Sequence, residues 1–208
     1  MAGSRYFDAI WSRVAEEARP GDFEARREFL LGHVTGGARV LDLGCGTGEF
    51  SAALARAGAT VVAAEVSGVA LSRARARHEG LDLRLVPESG PLPLDDAEFD
   101  VVWAGEVIER VVDIESWLSE VRRVLRPGGR LVLSTPWHGR PGTALALLRS
   151  GGFEEHFHPG SDRVRFYTAS SLRRVLEDFS FEAVSVQAAG GWPGWRRSLR
   201  AVARRGRW

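Results

Sequence analysis

Residues 40–48 read Val40-Leu41-Asp42-Leu43-Gly44-Cys45-Gly46-Thr47-Gly48, an apolar run that passes into a glycine-rich turn. The run from Ala38 to Leu43 predicts a buried strand that ends at Gly44. A helical pattern follows at residues 49–58, with Gly58 as its stop. Open α/β sheets bind ligands beyond the carboxyl ends of their strands, where such a turn lies. The stretch therefore predicts both an α/β fold and the place of its ligand site.

Strand-like and helix-like patterns alternate along the next part of the chain, up to residue 135. Short apolar runs predict four further strands, at Thr60–Ala64, Leu81–Val86, Phe99–Ala104 and Arg130–Ser134. A helix N-capped by Ser67 runs through Arg77, and a second helical repeat from Ile114 to Leu125 ends at Pro127-Gly128-Gly129. This order predicts a doubly wound, Rossmann-like α/β domain.

The pattern changes after residue 135. Residues 136–167 are rich in Gly, Pro, His and aromatic side chains, with a short helical patch at Thr143–Arg149, and we interpret them as a lid over the substrate. A helix at Ser170–Phe179 and strands at Phe181–Gln187 and Ser198–Ala203 follow. The short link between these two strands predicts an antiparallel hairpin, because a parallel pair would need a crossover. Residues 1–35 are expected to add helices to a single domain that spans residues 1–208.

The composition is that of an ordinary globular protein. The chain has 208 residues, 28 Lys and Arg against 27 Asp and Glu, one Cys and a net charge of +1. A protein that binds nucleic acid through its phosphates is usually more basic, so no nucleic-acid partner is expected. A single Cys gives no disulfide framework, residues 1–10 lack the apolar core of a signal peptide, and no apolar run reaches about 18 residues. These features predict a cytoplasmic protein without a transmembrane segment.

Acidic side chains around the glycine-rich turn restrict its ligand. A dinucleotide-binding turn would require a third Gly at position 49, but Glu49 stands there, and its carboxylate would oppose a pyrophosphate at the helix start. Asp42 adds a second negative charge. The turn therefore favours a ligand with cationic groups and no phosphate, such as S-adenosylmethionine, which carries a sulfonium and an ammonium. The alternatives are a tight turn without a ligand and an NAD-dependent oxidoreductase, against which the two acids argue.

Two further acidic residues follow the next strands. Glu65 ends the second strand, where a carboxylate can accept hydrogen bonds from both ribose hydroxyls. Glu88 follows the third strand, in a place to face an adenine edge. Each by itself is more often a solvated surface acid. Together with Asp42, however, they put a carboxylate near the ends of three successive strands.

Several motifs together resemble the class I S-adenosylmethionine-dependent methyltransferases, in particular the ubiquinone-biosynthesis-like, type 11 group. Residues 40–48 look like the family's first motif, Val124-Leu125-Arg126-Pro127-Gly128-Gly129 looks like its turn before strand five, and Tyr167-Thr168 with Leu172 and Leu176 looks like the start of its late helix. The resemblance covers about residues 36–203. It implies a seven-stranded sheet, mostly parallel with the last strand antiparallel. It also implies S-adenosylmethionine as cofactor and S-adenosylhomocysteine as product.

The same resemblance implies which residues bind the cofactor. Asp42 and the glycines of the turn would surround its methionine part, and Glu65 would hold the ribose. Glu88 stands where the family usually has Asp. We expect the cofactor site to comprise Asp42, Gly44, Cys45, Gly46, Gly48, Glu65, Val66, Glu88, Ser89 and Ala104.

Methyl transfer is an in-line displacement at an activated carbon, so the protein mainly aligns and desolvates the two reactants. A base is needed only where the acceptor is a hydroxyl or a protonated amine. The candidates are Glu106 and Glu109, which would share one face of a helix, and the loop residues His138, His156 and His158. The alternative interpretations are a salt-bridged surface turn for the two acids and exposed loop positions for the histidines.

We expect no metal in this site. The small-RNA 2′-O-methyltransferases look similar around strand four, but they carry Glu-x-x-Glu-His there and a further His before the late helix. Those two His positions hold Arg110 and Arg163 in this chain. Arg stays protonated and has no free lone pair, so it cannot ligate a metal. Pairing of Arg110 with Glu106 and Glu109 would instead lower the pKa of both acids.

The sequence leaves the acceptor open. We expect O- or N-methylation of a small-molecule or lipid-like acceptor. Enzymes that methylate amino groups of nucleic-acid bases usually carry an Asn/Asp-Pro-Pro-aromatic motif after strand four, where this chain has Ala104-Gly105-Glu106-Val107. A module that binds S-adenosylmethionine without catalysis is the remaining alternative.

The C-terminal residues combine tryptophan with arginine. A hairpin strand with a basic end is the plainer interpretation, and contact with a membrane surface or with an acidic partner is the other. The residues concerned are Trp192, Trp195 and Trp208 together with Arg196, Arg197, Arg200, Arg204, Arg205 and Arg207.

Overall fold

The computed structural model describes residues 4–157, 161–191 and 197–206. Its strands are β1 (Arg39–Leu43), β2 (Thr60–Glu65), β3 (Asp82–Leu85), β4 (Phe99–Gly105), β5 (Leu125–Pro136), β6 (Phe181–Ala189) and β7 (Ser198–Arg205). Its helices are α1 (Arg5–Arg13), α2 (Phe23–Leu31), α3 (Glu49–Arg56), α4 (Gly68–Arg77), α5 (Ile114–Val124), α6 (Arg140–Leu148), α7 (Gly152–His156) and α8 (Ala169–Asp178). The strands and helices predicted from the alternating pattern all have a counterpart in this order.

The seven strands form one sheet in the order β3-β2-β1-β4-β5-β7-β6. Strands β1 to β5 pair in parallel, whereas β7 pairs antiparallel with both of its neighbours. The strand order reverses between β1 and β4, which places a crevice at the carboxyl ends of these two strands. The predicted fold class is confirmed, including the antiparallel last strand.

The largest boundary difference concerns the start of β5. The sequence predicts a helix that runs to Leu125 and a strand from Arg130, but α5 ends at Val124 and β5 begins at Leu125. Leu125 pairs with Phe99, and the register then shifts before Val101 pairs with Arg130. The Pro-Gly-Gly turn is therefore an irregular part of the strand and not a break between two elements.

Buried apolar side chains cover both faces of the sheet, as a largely parallel sheet requires. One cluster joins the sheet to α5 and α8 through side chains such as Leu118 and Leu172. A second cluster lies under α2 and α3, where the rings of Phe50 and Trp103 are 5.2 Å apart between centroids. Leu30 of α2 is fully buried in this second cluster, so the N-terminal helices contribute to the core.

The basic end of the chain belongs to β7 as far as the structure describes it. Arg205 donates hydrogen bonds to the main-chain oxygens of Arg123 and Leu125, and the guanidinium of Arg200 lies 5.7 Å from the ring centroid of Phe29. The three tryptophans of the C-terminal group, with Arg196 and Arg207, lie outside the described residues. Among the described helices, none is long and apolar enough to cross a bilayer.

Thr168→Ala should destabilise the fold by about 1 kcal/mol, because Thr168 caps α8. Its Oγ1 accepts a hydrogen bond from Ser171 N at 3.2 Å, and Ser171 Oγ accepts one from Thr168 N at 2.9 Å. Urea unfolding followed by circular dichroism measures the loss. Arg174→Ala, at an exposed position of α8, is the control and should change the free energy of unfolding by less than about 0.5 kcal/mol. Parent-like stability of the Thr168 variant would contradict the capping role.

Candidate active site

A cavity of about 880 Å³ lies at the carboxyl ends of β1, β2 and β4. Its volume is in the upper range for small-molecule sites and leaves room for two reactants. Helix α1 forms one wall through Phe7, Ile10 and Trp11. The glycine-rich turn forms the floor, and residues 162–163 with the start of β7 form the far side.

The glycine-rich turn is packed too tightly for any other residue type at two positions. Gly44 has a φ of +80°, and a Cβ atom there would lie 2.5 Å from Cγ2 of Val107. Gly46 has a φ of +56°, and its Cβ would lie 3.0 Å from the Trp11 ring. Glycine alone combines such φ values with such close contacts at little cost. The turn is therefore held between α1 and the segment that follows β4.

Glu65, at the end of β2, ties the turn to the sheet. Oε2 accepts a hydrogen bond from Gly46 N at 3.0 Å, and Oε1 accepts from Val66 N at 2.8 Å and from Ser67 N at 3.0 Å. Burial raises the pKa of this carboxyl, while the three main-chain donors lower it. The residue is 5% exposed and still reaches the cavity wall. It therefore combines a structural role with a position that a ligand can contact.

Asp42 lies behind the turn and does not line the cavity. The residue is 1% exposed, and its Oδ2 accepts a hydrogen bond from Ser51 Oγ at 2.5 Å. Burial raises its pKa to about 7, so the carboxyl is only partly ionised near neutral pH. The structure thus places Asp42 at the β1–α3 junction, away from the surface that was expected to surround a methionine group.

Glu49 lines the cavity, but its charge is already paired. Oε1 accepts a hydrogen bond from Arg77 Nη1 at 2.5 Å, and Oε2 accepts one from Thr47 Oγ1 at 2.6 Å. The carboxylate that was expected to oppose a pyrophosphate is therefore already balanced by an arginine. Its partner Arg77 comes from α4, 28 residues further along the chain, and no local pattern connects the two.

Arg26 of α2 is a cavity residue that the sequence argument missed. The residue is 5% exposed, and its guanidinium lies 4.9 Å from the ring centroid of Phe50 and 5.8 Å from that of Trp103. Nη1 donates to Gly21 O at 3.2 Å, whereas Nε is buried without a hydrogen-bond partner in the described structure. No described carboxylate lies within ion-pair distance, and burial lowers its pKa. A buried cation with spare donors on a cavity wall is suited to an anionic ligand group.

The two acidic residues after β4 lie in a turn and not in a helix. Glu106 has a φ of +62°, lines the cavity and accepts a hydrogen bond from Ser134 Oγ at 3.3 Å. Glu109 is fully buried, and its Oε2 accepts one from Thr135 Oγ1 at 2.9 Å. The surface-turn interpretation is therefore wrong for Glu109. Of the two acids, only Glu106 can contact a ligand directly.

Arg110 acts to lower the pKa of Glu109, as expected, but this effect is outweighed. Burial, together with the nearby charge of Glu106, raises the pKa of Glu109 to about 7. Arg110 forms its close ion pair with Asp162, and its Nε lies 3.8 Å from Glu109 Oε1. At that distance its effect on the carboxyl is smaller than the effect of burial.

The histidines of residues 136–167 do not meet at the cavity in the described structure. The His138 ring lies 4.9 Å from that of Phe166 between centroids, and His138 is not among the residues of the cavity wall. His156 ends α7, but its side chain, like the whole of His158, lies outside the described residues. Pro136, Asp162 and Arg163 reach the cavity from this segment. The lid and the histidine bases remain predictions.

Seven of the ten expected cofactor residues line the cavity, namely Gly44, Cys45, Gly46, Glu65, Val66, Glu88 and Ser89. Ala104 is fully buried within the sheet, and a Cβ on Gly48 would contact His78, Leu81 and Ala74 and not the cavity. Burial raises the pKa of the Cys45 thiol, as suits a residue that only fills space in the turn. Within the described ranges, no group of three or more His, Cys, Asp or Glu side chains is arranged to hold a metal ion.

Comparison with known proteins gives a consistent result. Residues 41–133 match the methyltransferase domain family called Methyltransf_11. A demethylmenaquinone methyltransferase of Clavibacter sepedonicus is 46% identical over 105 residues, which are 48% of this chain and 43% of that protein. A ubiquinone biosynthesis O-methyltransferase of Rhizobium johnstonii is 37% identical over 116 residues, which are 54% of this chain and 46% of that protein. The matched region thus spans less than half of each relative's length.

A solved structure supports the fold over nearly the whole chain. The 1,6-didemethyltoxoflavin-N1-methyltransferase of Burkholderia thailandensis, solved with bound 1,6-didemethyltoxoflavin and S-adenosylhomocysteine, has a TM-score of 0.67 and 21% identity. The alignment covers 97% of this chain and 84% of that one. The fold and the glycine-rich turn are thus similar to those of S-adenosylmethionine-dependent methyltransferases. Residues 41–133, which are somewhat less than half of the chain, are similar to the type 11 methyltransferase domain.

Asp42→Asn should remove part of the pH dependence of stability. The pKa of this carboxyl is 3.8 in an unconstrained chain and about 7 in the folded protein. Between these two pH values the folded protein keeps a proton on Asp42 that the unfolded chain releases. The free energy of unfolding of the parent should therefore fall as pH rises through this range, by roughly 1.4 kcal/mol per pH unit relative to the variant. Above the folded pKa the difference should level off. Urea unfolding across and above this range measures it.

Asp178→Asn is the matched control for this prediction, because Asp178 is exposed at the end of α8. It should keep the pH profile of the parent. A constant difference in stability between Asp42→Asn and the parent at every pH would show that the buried carboxyl does not titrate in this way.

Proposed function

We propose that the protein is an S-adenosylmethionine-dependent methyltransferase that acts on a small organic acceptor at an oxygen or nitrogen atom. The observation that carries the proposal is the placement of Arg26 and Glu65 on two sides of the glycine-rich turn. Both residues are about 5% exposed, both line the same cavity, and they have opposite charge. A ligand that fits between them needs an anionic group at one end and hydrogen-bond donors at the other.

S-adenosylmethionine meets both requirements. Its amino-acid carboxylate suits the spare donors of Arg26, and its ribose hydroxyls suit the carboxylate of Glu65. The tight glycines Gly44 and Gly46 leave the main chain close to the ligand between these ends. Glu88 and Ser89, after β3, lie on the cavity wall beyond Glu65, where the base would be. The residues present therefore fit the cofactor of the family.

When bound, S-adenosylmethionine supplies a methyl group already activated by its sulfonium. The remaining task of the chain is to align the acceptor and to exclude water. Phe7, Ile10 and Trp11 of α1 cover the turn with apolar surface. Glu106 presents a carboxylate at the end of β4, where it can accept a hydrogen bond or a proton from an acceptor hydroxyl or amine.

The direct test is a screen of acceptor classes for release of S-adenosylhomocysteine, preceded by calorimetry with S-adenosylhomocysteine and NAD. Binding of S-adenosylhomocysteine, and turnover with at least one acceptor, is the expected outcome. Binding without turnover on any acceptor would favour a cofactor-binding module. Binding of NAD and not of S-adenosylhomocysteine would overturn the proposal.

Arg26→Gln should weaken binding of S-adenosylhomocysteine at least about tenfold, because a buried charge-assisted contact to the carboxylate is lost. The same variant should bind 5′-methylthioadenosine like the parent, because this nucleoside lacks the amino-acid part. Calorimetry with both ligands makes the comparison. Arg27→Gln, one position along α2 and paired with Glu24, is the control and should bind both ligands normally. Equal weakening of both ligands by Arg26→Gln would argue against a carboxylate contact.

Glu65→Gln should weaken both ligands, since both carry the ribose. The expected loss is about 1–3 kcal/mol, the range for hydrogen bonds to a charged group. Because Glu65 also accepts three main-chain hydrogen bonds, thermal unfolding of the unliganded variant must be measured in parallel. A folded variant with parent-like affinity for both ligands would show that the ribose binds elsewhere.

A further inference from the structure

The two ends of the cavity differ in charge. The part of the cavity next to the carboxyl ends of β2 and β3 carries the acids Glu65 and Glu88. The part beyond β4 is lined by five arginines and four carboxylates, namely Arg19, Arg26, Arg110, Arg163 and Arg197 with Asp22, Glu106, Asp113 and Asp162. Four strand spacings separate β2 from β7 in the sheet, which amounts to roughly 19 Å. A cofactor held at Glu65 and Arg26 therefore leaves the arginine-rich part to the acceptor.

Two arginines of that part are not engaged in ion pairs with the described residues. Arg110 is paired with Asp162, and Arg26 faces the carboxylate assigned to the cofactor. Arg163 and Arg197 form no ion pair with any residue that the structure describes, and both are exposed at the cavity rim. The carboxylates that remain are Asp22, Glu106 and Asp113. Glu106 lies at the end of β4 with Ser134 as its hydrogen-bond donor, and Asp113 accepts hydrogen bonds from Ser116 at the start of α5.

The main chain fixes the places from which the two rim arginines project. Arg197 N donates to Ala189 O at 3.1 Å, and Arg197 O accepts from Trp137 N at 3.0 Å. Next to Arg163, Val164 N and Arg165 N both donate to Glu109 O, at 2.9 and 3.0 Å. Arg163 thus lies over the turn after β4, and Arg197 lies at the start of β7, beside the end of β5. The two arginines therefore lie near the end of β4 and the end of β5, on the side of the cavity where we expect the acceptor to bind.

We propose that the acceptor carries an anionic group, a carboxylate or a phosphate, that binds Arg163 and Arg197. This inference rests on the proposed function, since it assigns the β5–β7 side of the cavity to the acceptor. An anion there would find two guanidinium groups that no described carboxylate neutralises, and Arg binds carboxylate and phosphate alike through paired N–H donors. The anion would also hold the acceptor's reacting atom toward Glu106, away from the rim.

The test uses the full chain saturated with S-adenosylhomocysteine and three matched probes. These are 4-hydroxybenzoate, 4-hydroxyphenyl phosphate and the neutral methyl 4-hydroxybenzoate, each titrated by ligand-observed NMR. At least one of the two anions should bind saturably and with higher affinity than the ester. A comparison of the affinities of the two anions then shows whether the site prefers a carboxylate or a phosphate. Arg163→Gln and Arg197→Gln together should weaken the bound anion at least about tenfold.

The control is Arg149→Gln, an exposed arginine after α6 that does not line the cavity, and it should bind the anion like the parent. All variants should bind S-adenosylhomocysteine normally, which also shows that they are folded. Absence of saturable anion binding, an ester that binds as well as the anions, or parent-like anion binding by the double variant would overturn the inference and leave the proposed function standing. A parent that does not bind S-adenosylhomocysteine would overturn both.

Discussion

One buried carboxylate holds the ligand-binding end of this molecule together. Glu65 closes β2 and accepts hydrogen bonds from Gly46 on one side and from Val66 and Ser67 on the other. It thereby connects the glycine-rich turn, the end of the second strand and the start of α4. The energetic cost of burying the acid is offset by three main-chain donors that would otherwise lack a partner. A ligand that binds here meets a turn already fixed in place.

The N-terminal helix depends on the same region. Ser4 N donates to Val66 O at 2.9 Å, and Asp8 Oδ1 accepts from Ser67 Oγ at 2.7 Å. These contacts place Trp11 against Gly46, so that the cover of the cavity is positioned by the residues that hold its floor. The side chain of Ser67 serves twice, since it also caps α4 by accepting from Ala70 N.

The sequence alone predicted most of the fold, because its signals are local. Apolar runs, helical repeats and the glycines at positions 44, 46 and 48 determine the strands, the helices and the turn between them. The antiparallel β7 followed from the length of a link. The place of Glu65 and Glu88 on the cavity wall also followed from the sequence, since each comes directly after a strand. The sequence did not predict that Asp42 lies behind the turn and off the cavity wall, because the apolar pattern of β1 cannot show which atoms a buried carboxylate contacts.

Arg26 and the pairing of Glu49 with Arg77 were missed for a different reason. Each depends on a contact between segments distant in sequence, and arginine in a helical stretch carries no local mark of burial. The pKa of Glu109 is raised overall because desolvation, which the sequence does not show, outweighs the effect of the neighbouring Arg110. Arg26 and Arg77 both lie in helices, and the pattern of the strands does not predict which helix side chains reach the site.

The backbone at Glu106 has a consequence for how the protein can change. A φ of +62° is strained for any residue with a side chain, at a cost on the order of 1–3 kcal/mol. A glycine would relieve the strain and remove the carboxylate in the same step. At this position a glycine would favour thermal stability, whereas a glutamate provides the negative charge of the cavity. A programme of stabilisation guided by backbone geometry alone would choose Glu106 early, and it would remove the acid that stands between the two halves of the site.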